Sequence, residues 1–252
     1  MLAATAPVDG MRFVIWDNKS WGLSSVDDVN YHSSPNGNIG FGSAVNRVHE
    51  LYDYDRILLL NSDIEMDPEL FNRIVLRNYE LSETTIWSPT LLNADGSLQT
   101  APESLYMRTP VQEVFDIFGF PAKRQRRAQP LYYVRGAVFS ISRRLLQQSG
   151  GFDEAFFLYG EEADLCFRLD GCCELVVDPV VCVIHHGSQG NKGKSREALR
   201  HSYNARVLLH KKYSGSLAAR VVQIAVNCAT TARDAKSLGT QWAQKLSAAV
   251  SR

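Results

Sequence analysis

Three acids in four positions, Glu161, Glu162 and Asp164, and two adjacent histidines, His185 and His186, are the side chains of this 252-residue chain best suited to chemistry. Carboxylates act as general acids and bases or bind hard cations, and imidazoles ligate divalent metals. Each group is delivered by residues built for burial. An apolar stretch over 132–141 carries Gly136, where backbone can approach a ligand closely. A Gly150-Gly151 turn and the aromatics Phe156 and Phe157 then lead to the acids. The acids open a helical pattern over 161–169, with Leu165 and Leu169 on one face and Asp164 four residues before Arg168, a favourable pair. A plainer explanation is that the acids only decorate a helix N-terminus, where the dipole favours them. It accounts for one acid better than for three beside Tyr159. The run 180–184 reads as a buried strand, and its two terminal histidines are candidate metal ligands.

Earlier segments supply further candidates. Residues 11–16 read as a strand ending at Asp17, where open α/β sheets bind ligands; Asp17 and Ser20 equally suit the capping of a turn. Between 36 and 46 lie three glycines and three asparagines, including Asn38, Gly40 and Asn46. A glycine-rich turn opening a helix can hold a phosphate. The spacing is neither a P-loop nor a dinucleotide fingerprint, and a plain loop with a helix start is the commoner explanation. Residues 57–60 are wholly apolar, as in a strand buried on both faces, and run into Asn61, Ser62 and Asp63. Asp67 and Pro68 suit the N-cap and first position of a helix. Asp63 thus falls in a strand-to-helix loop, as a turn residue or a ligand.

Residues 21–35 are polar and turn-rich, 85–89 suggest a strand, 93–97 a turn and 143–149 a short helix. The irregular stretch 100–130 holds the basic cluster 123–127. It reads as a solvated loop or a contact for phosphate or lipid headgroups. From 196 the pattern is helical, broken at 214–216 and resumed from 217 to about 250. It fits two helices packed on the domain or an amphipathic surface for peripheral membrane contact.

Formal net charge is zero, so no global field draws in nucleic acid, and none is expected as a partner. Five cysteines without zinc spacing suggest reduced thiols and a cytoplasmic setting. No run reaches the ~18 apolar residues of a membrane span, and residues 1–10 lack the blocks of a secretory signal.

With these residues in view, the sequence resembles the inverting family 2 glycosyltransferases of the GT-A fold, most closely the bacterial rhamnosyltransferase-type branch. Residues 13–20 are similar to its strand and Asp-Asn-x-Ser, 38–46 to its Asn-x-Gly-Phe loop, and 58–63 to its Leu-Leu-Asn-x-Asp metal motif. Residues 150–168 are close to its long Gly-Gly-Phe-Asp-Glu block, and His185 to its late histidine. The resemblance spans roughly residues 11–213, and the long block is its specific part.

It implies an α/β, GT-A-like domain over 1–195, with a mixed, mainly parallel sheet flanked by helices, and a helical C-terminal appendage over 196–252. It implies sugar transfer, with inversion, from a UDP-, dTDP- or GDP-sugar to a glycan or lipid-linked acceptor, on the inner face of the plasma membrane. Asp17, Asn38, Gly40, Asn46, Asn61 and Gly136 would shape the nucleotide-sugar pocket. Asp63 and His185 would hold Mg²⁺ or Mn²⁺. Glu162 would be the general base, with Glu161 and Asp164 orienting it or the acceptor. The family has Asp where this chain has Glu162, so Glu161 stands as an alternative base. The family's opening strand and Thr-Tyr-Asn-type loop have no counterpart here, and one βα unit is expected to be missing. A non-catalytic scaffold subunit in polysaccharide assembly is the alternative that this departure raises.

Overall fold

A computed structural model describes residues 11–18, 30–34, 37–99, 105–120, 131–187 and 195–250, with side chains as far as 235. The chain divides into two units, Met1–Met107 with Pro130–Ser202, and Arg108–Gln129 with Tyr203–Arg252. The second unit thus takes in a segment from mid-chain, which the continuous appendage over 196–252 did not include.

In the first unit, β1 (Val14–Asp17) pairs in parallel with β2 (Asn30–Ser33). A five-stranded mixed sheet is formed by β3 (Arg56–Leu60), β4 (Ile64–Glu65), β5 (Thr85–Leu92), β6 (Val138–Ser142) and β7 (Glu174–His185), in the order β3-β6-β5-β7-β4. β3, β5 and β7 share one direction, and β6 and β4 oppose them. The longest pairing is the parallel one between β5 and β7.

Helices cover the sheet because successive side chains alternate between its faces. Ile86, Phe139 and Ile141 join a core with Val45 of α1 (Phe41–Leu51), Leu145 and Leu146 of α4 (Arg143–Gln148), and Leu165 and Cys166 of α5 (Glu161–Arg168). Their neighbours Trp87 and Val138 join a second core with Ile74 of α2 (Pro68–Glu80), Val181 and Val183. Asp67 caps α2 by accepting from the Leu70 N–H at 2.7 Å, with Pro68 at the helix start.

Three elements differ from the sequence reading. The polar stretch 21–35 contains β2, which pairs only with β1 among the described residues. Gly136 lies in a turn before β6, not within a strand; the Asn61 N–H donates to the Ala137 carbonyl at 2.9 Å, one pair beyond the β3–β6 ladder. β7 is longer than 180–184. It passes Pro179 because Asp178 Oδ1 accepts from the Val180 and Val181 N–H groups, at 2.9 and 3.2 Å, where the pairing with β5 shifts register.

In the second unit, α3 (Pro110–Ile117) starts at a reciprocal cap between Thr109 and Gln112. α6 (Arg196–Tyr213) enters this unit at Tyr203, and Ser214-Gly215 separates it from α7 (Ser216–Val250). Ala219, Val222, Ala225, Val226 and Ala229 form the buried face of α7. Beneath α3, Arg206 donates to Glu113 and Asp116, both at 2.7 Å. No helix among the described residues is long and apolar enough to cross a membrane. The basic cluster 123–127 lies outside the described residues.

Candidate active site

The Asp63–His185 corner is set by backbone register. β4 pairs antiparallel with β7 so that Ile64 lies opposite His185, and the His186 N–H donates to the Asp63 carbonyl at 2.9 Å. His185 Nε2 consequently sits 3.4 Å from Asp63 Oδ1. Gly187 clears the space in front of them. A Cβ there would lie 2.6 Å from His185 Nε2 and 3.2 Å from Asp63 Oδ2. His186 does not join the pair, because its Nε2 meets Glu65 Oε2 at 2.5 Å.

These residues fit a divalent cation. Adjacent donors ~2.1 Å from an octahedral ion stand about 3 Å apart, near the observed separation. Burial lowers the His185 pKa, Asp63 opposes that shift and Arg135 reinforces it, which favours the neutral ligand form. Among the described residues no cluster of three or more His, Cys, Asp or Glu could hold a metal. Two protein donors leave further positions for phosphate oxygens and water, as Mg²⁺ and Mn²⁺ sites commonly do.

The acids stand at the start of α5. Tyr159 (φ 70°) and Gly160 (φ 84°) are both left-handed, and this turns the chain sharply into the helix. Tyr159 is the one non-glycine residue with positive φ among the described residues, a conformation that persists only where its surroundings enforce it. The turn buries Glu161, leaves Glu162 half-buried, and leaves one carboxylate oxygen of each, Oε2, buried without a hydrogen-bond partner. Burial, then the neighbouring Glu162, pushes Glu161 well above the ordinary carboxyl range. Burial also raises Glu162, but its own N–H, the Arg135 guanidinium and the N–H groups of Gly136 and Gly160 counter it. Both carboxyls are thus shifted toward the protonated form, Glu161 the further of the two.

Asp164 has a different environment. It is fully buried and accepts from Arg168 Nε at 2.8 Å, the pairing expected from the four-residue spacing, while Arg168 Nη1 donates to the Ser149 carbonyl. This arrangement fixes the helix to the turn before it.

Gly136 joins the two halves of the site. Its neighbour Ala137 is bonded to Asn61, two residues before Asp63, and a Cβ on Gly136 would sit 3.7 Å from the Glu162 side chain. Arg135 acts electrostatically on both Glu162 and His185. The Asp63 corner and the Glu162 carboxylate are therefore reached from one short segment.

The remaining candidates lie around the start of α1. Asp17 is buried at the end of β1 and accepts from the Tyr31 hydroxyl at 2.7 Å. Asn38 Oδ1 accepts from the Gly40 N–H at 2.9 Å. Gly40 has φ 89°, and its Cβ position would fall 2.5 Å from the Phe157 carbonyl oxygen, so glycine is required for α1 to approach the acid-bearing loop. Asn46, expected to shape the nucleotide pocket, has its amide taken up elsewhere. Its Oδ1 accepts from the Phe152 N–H at 2.9 Å, and its Nδ2 donates to the Phe152 carbonyl and to Glu154 at 2.9 and 3.0 Å. It clamps the 151–154 turn.

The sequence reading passed over three residues. Asn18 Oδ1 gathers Trp16 Nε1, Ser34 Oγ and the Ile39 N–H at 3.2–3.4 Å, joining β1 to the glycine loop. Arg135 was visible only as a neighbour of Gly136. Gln99 contacts His185 across the sheet edge, and no local motif marks it.

No family model matches the chain. Over 175 residues, 62% of its length, it is 30% identical to a Haloferax volcanii protein named low-salt glycan biosynthesis hexosyltransferase, of which it covers 52%. Over 204 residues, 71% of its length, it is 27% identical to the N-acetylglucosaminyl-diphospho-decaprenol L-rhamnosyltransferase of Mycobacterium tuberculosis, of which it covers 66%. The chain spans about half to two thirds of the length of these curated relatives. Among solved structures, GalNAc-T7 with UDP, GalNAc and Mn²⁺ aligns with TM-score 0.49 and 14% identity, over 78% of this chain and 41% of that one. The Pyrobaculum calidifontis mannosyltransferase PcManGT with GDP-Man and Mn²⁺ aligns with TM-score 0.45 and 15% identity, over 95% and 72%.

Proposed function

We propose that this chain, a sequence relative of glycosyltransferases of glycan assembly, moves a sugar from a nucleotide-diphospho-sugar to a glycan or lipid-diphosphate-linked acceptor. The observation that carries the reading is the pairing of one buried, partnerless Glu162 oxygen with an Asp63–His185 corner reached through the same Arg135-Gly136 segment.

Glu162 Oε2 accepts the proton of the acceptor hydroxyl. The acceptor oxygen forms the new bond to the sugar's anomeric carbon as the bond to the diphosphate breaks, and the nucleoside diphosphate leaves with that electron pair. Attack opposite the leaving group inverts the anomeric centre. Glu161, pushed up by burial and by its neighbour, favours the protonated form, which leaves Glu162 as the base. Asp164, through Arg168, keeps α5 in register. Asp17, Asn38 and Gly40 shape the donor pocket from the β1 and α1 side, Asn61 and Gly136 from the sheet side, and Asn46 acts through the 151–154 turn. Asp63 and His185 would hold a divalent ion, which would supply positive charge against the departing diphosphate, and the imidazole would favour Mn²⁺ over Mg²⁺.

A lipid-linked acceptor calls for contact with an anionic membrane surface on the cytoplasmic side. α7 supports this reading. Leu217, Val221 and Ile224 are 78%, 42% and 63% exposed along one stripe. Lys211, Lys212 and Arg220 are exposed nearby, and no acid occurs between 198 and 233.

The test pairs two variants with calorimetry. Glu162→Gln should lower kcat by about 10²–10⁴-fold and keep Mn²⁺-dependent nucleotide binding. Asp63→Ala should lose both, with the fold intact by circular dichroism. Full transfer in either variant refutes its assignment, and a native chain that binds no nucleotide points instead to a scaffold.

A further inference from the structure

His185 can serve the corner only if its Nε2 carries a lone pair, and the structure contains a device that decides this. Gln99 follows the turn at 93–97, where the Asn93 N–H takes the Ser97 carbonyl at 2.8 Å, and its own N–H bonds to the Leu91 carbonyl at 2.9 Å. β5 pairs in parallel with β7, placing Leu91 opposite Val183 and Leu92 opposite Ile184. The hairpin therefore delivers Gln99 to the end of β7. Both ends of its amide engage one residue. Gln99 Nε2 lies 3.3 Å from the His185 carbonyl oxygen, and Gln99 Oε1 lies 2.8 Å from His185 Nδ1.

For the neutral ring the contacts allow one solution. A carbonyl oxygen only accepts, so the NH₂ end of the amide must face it, and Oε1 must face the ring. Oε1 also only accepts, so Nδ1 must carry the hydrogen. Nε2, facing Asp63 Oδ1 at 3.4 Å, is then the nitrogen with the lone pair. A clasp on the far ring nitrogen is the general means by which proteins orient a ligating histidine.

We infer that Gln99 is a positioning residue, whose amide locks the His185 ring and tautomer so that Nε2 faces Asp63. The inference rests on the proposed metal corner for its purpose, but its physical content can be read without any metal. Nitrogen-correlated NMR of the native chain, at a pH where the imidazole is neutral and with His185 signals assigned by their loss in His185→Gln, should show the Nδ1–H tautomer alone. In Gln99→Leu the ring should populate both tautomers, and Mn²⁺ affinity, measured by electron paramagnetic resonance without substrate, should fall about 10–100-fold. Gln99→Glu keeps an acceptor at Nδ1, although its second oxygen opposes the His185 carbonyl, and should restore the Nδ1–H tautomer. An unchanged tautomer in Gln99→Leu overturns the proposal, as does a Gln99→Glu variant that behaves like Gln99→Leu. A native chain that shows the locked tautomer and loses it in Gln99→Leu, yet binds no Mn²⁺, removes the metal reading and supports the positioning.

Discussion

Two glutamates in this chain are almost equally buried and electrostatically opposite. Glu161 at the start of α5 is 5% exposed, and Glu113 in α3 is 7% exposed. Burial raises the pKa of each. At Glu113 that rise is outweighed by His210, Arg206 and Arg108, and the carboxyl ends below its ordinary range. At Glu161 burial is reinforced by the charge of Glu162, and the carboxyl ends well above its ordinary range. Burial does not distinguish architecture from chemistry; the sign of the neighbours does. A buried acid surrounded by cations holds helices together, whereas a buried acid beside another acid stores a proton.

The comparison breaks most visibly at Glu113. Glu113→Ala strands Arg206 with only part of its pairing, since Asp116 remains, and should cost about 3 kcal/mol in a urea titration. The clamp on the acid-bearing turn comes next. Asn46→Ala removes an exposed bond to Glu154 and two part-buried bonds to the Phe152 backbone, and at about 1 kcal/mol for each of the latter two it should cost about 2 kcal/mol and slow transfer. Glu161→Gln is the smallest in stability, because a neutral amide replaces a carboxyl whose surroundings already favour the neutral form; its melting temperature should hold or rise.

pH sharpens the contrast, since the two glutamates give slopes of opposite sign. The Glu113 pKa is depressed below 4.5 in the fold. Its stabilisation is present above pH 4.5 and is lost as pH falls through the folded value. The Glu161 pKa is raised above 4.5. The folded state holds the extra proton, so its contribution is full below pH 4.5 and is lost as pH rises through the folded value. Denaturation across pH should therefore show Glu113→Gln flattening the acid limb and Glu161→Gln flattening the opposite one. Identical profiles for the two variants would refute the contrast.

Much of this was legible in the sequence because it is local. The Asp67-Pro68 cap, the glycine that opens α1, the Asp164–Arg168 spacing and the break at 214–216 each follow from residues within a turn of one another. Asp63 and His185 were legible as types, but their meeting depends on the register between β4 and β7. What escaped was carried by pairing between distant segments. β2 is polar and, among the described residues, pairs as a strand only with β1. α3 belongs with the C-terminal helices through Arg206, some ninety positions away in sequence. Gln99 reaches His185 across eighty-six positions. Asn46 carries the residue type of a pocket lining, but hydrogen-bond saturation by a remote turn gives it other work.

The contact of Gly40 on the Phe157 carbonyl has a consequence for how the chain tolerates variation. The first turn of α1 and the approach to α5 share one wall there, with no thickness to spare. A saturation library at position 40, sorted for soluble and active protein, should return the original codon class alone, and no second-site change confined to α1 should rescue the others, because the obstacle is main chain.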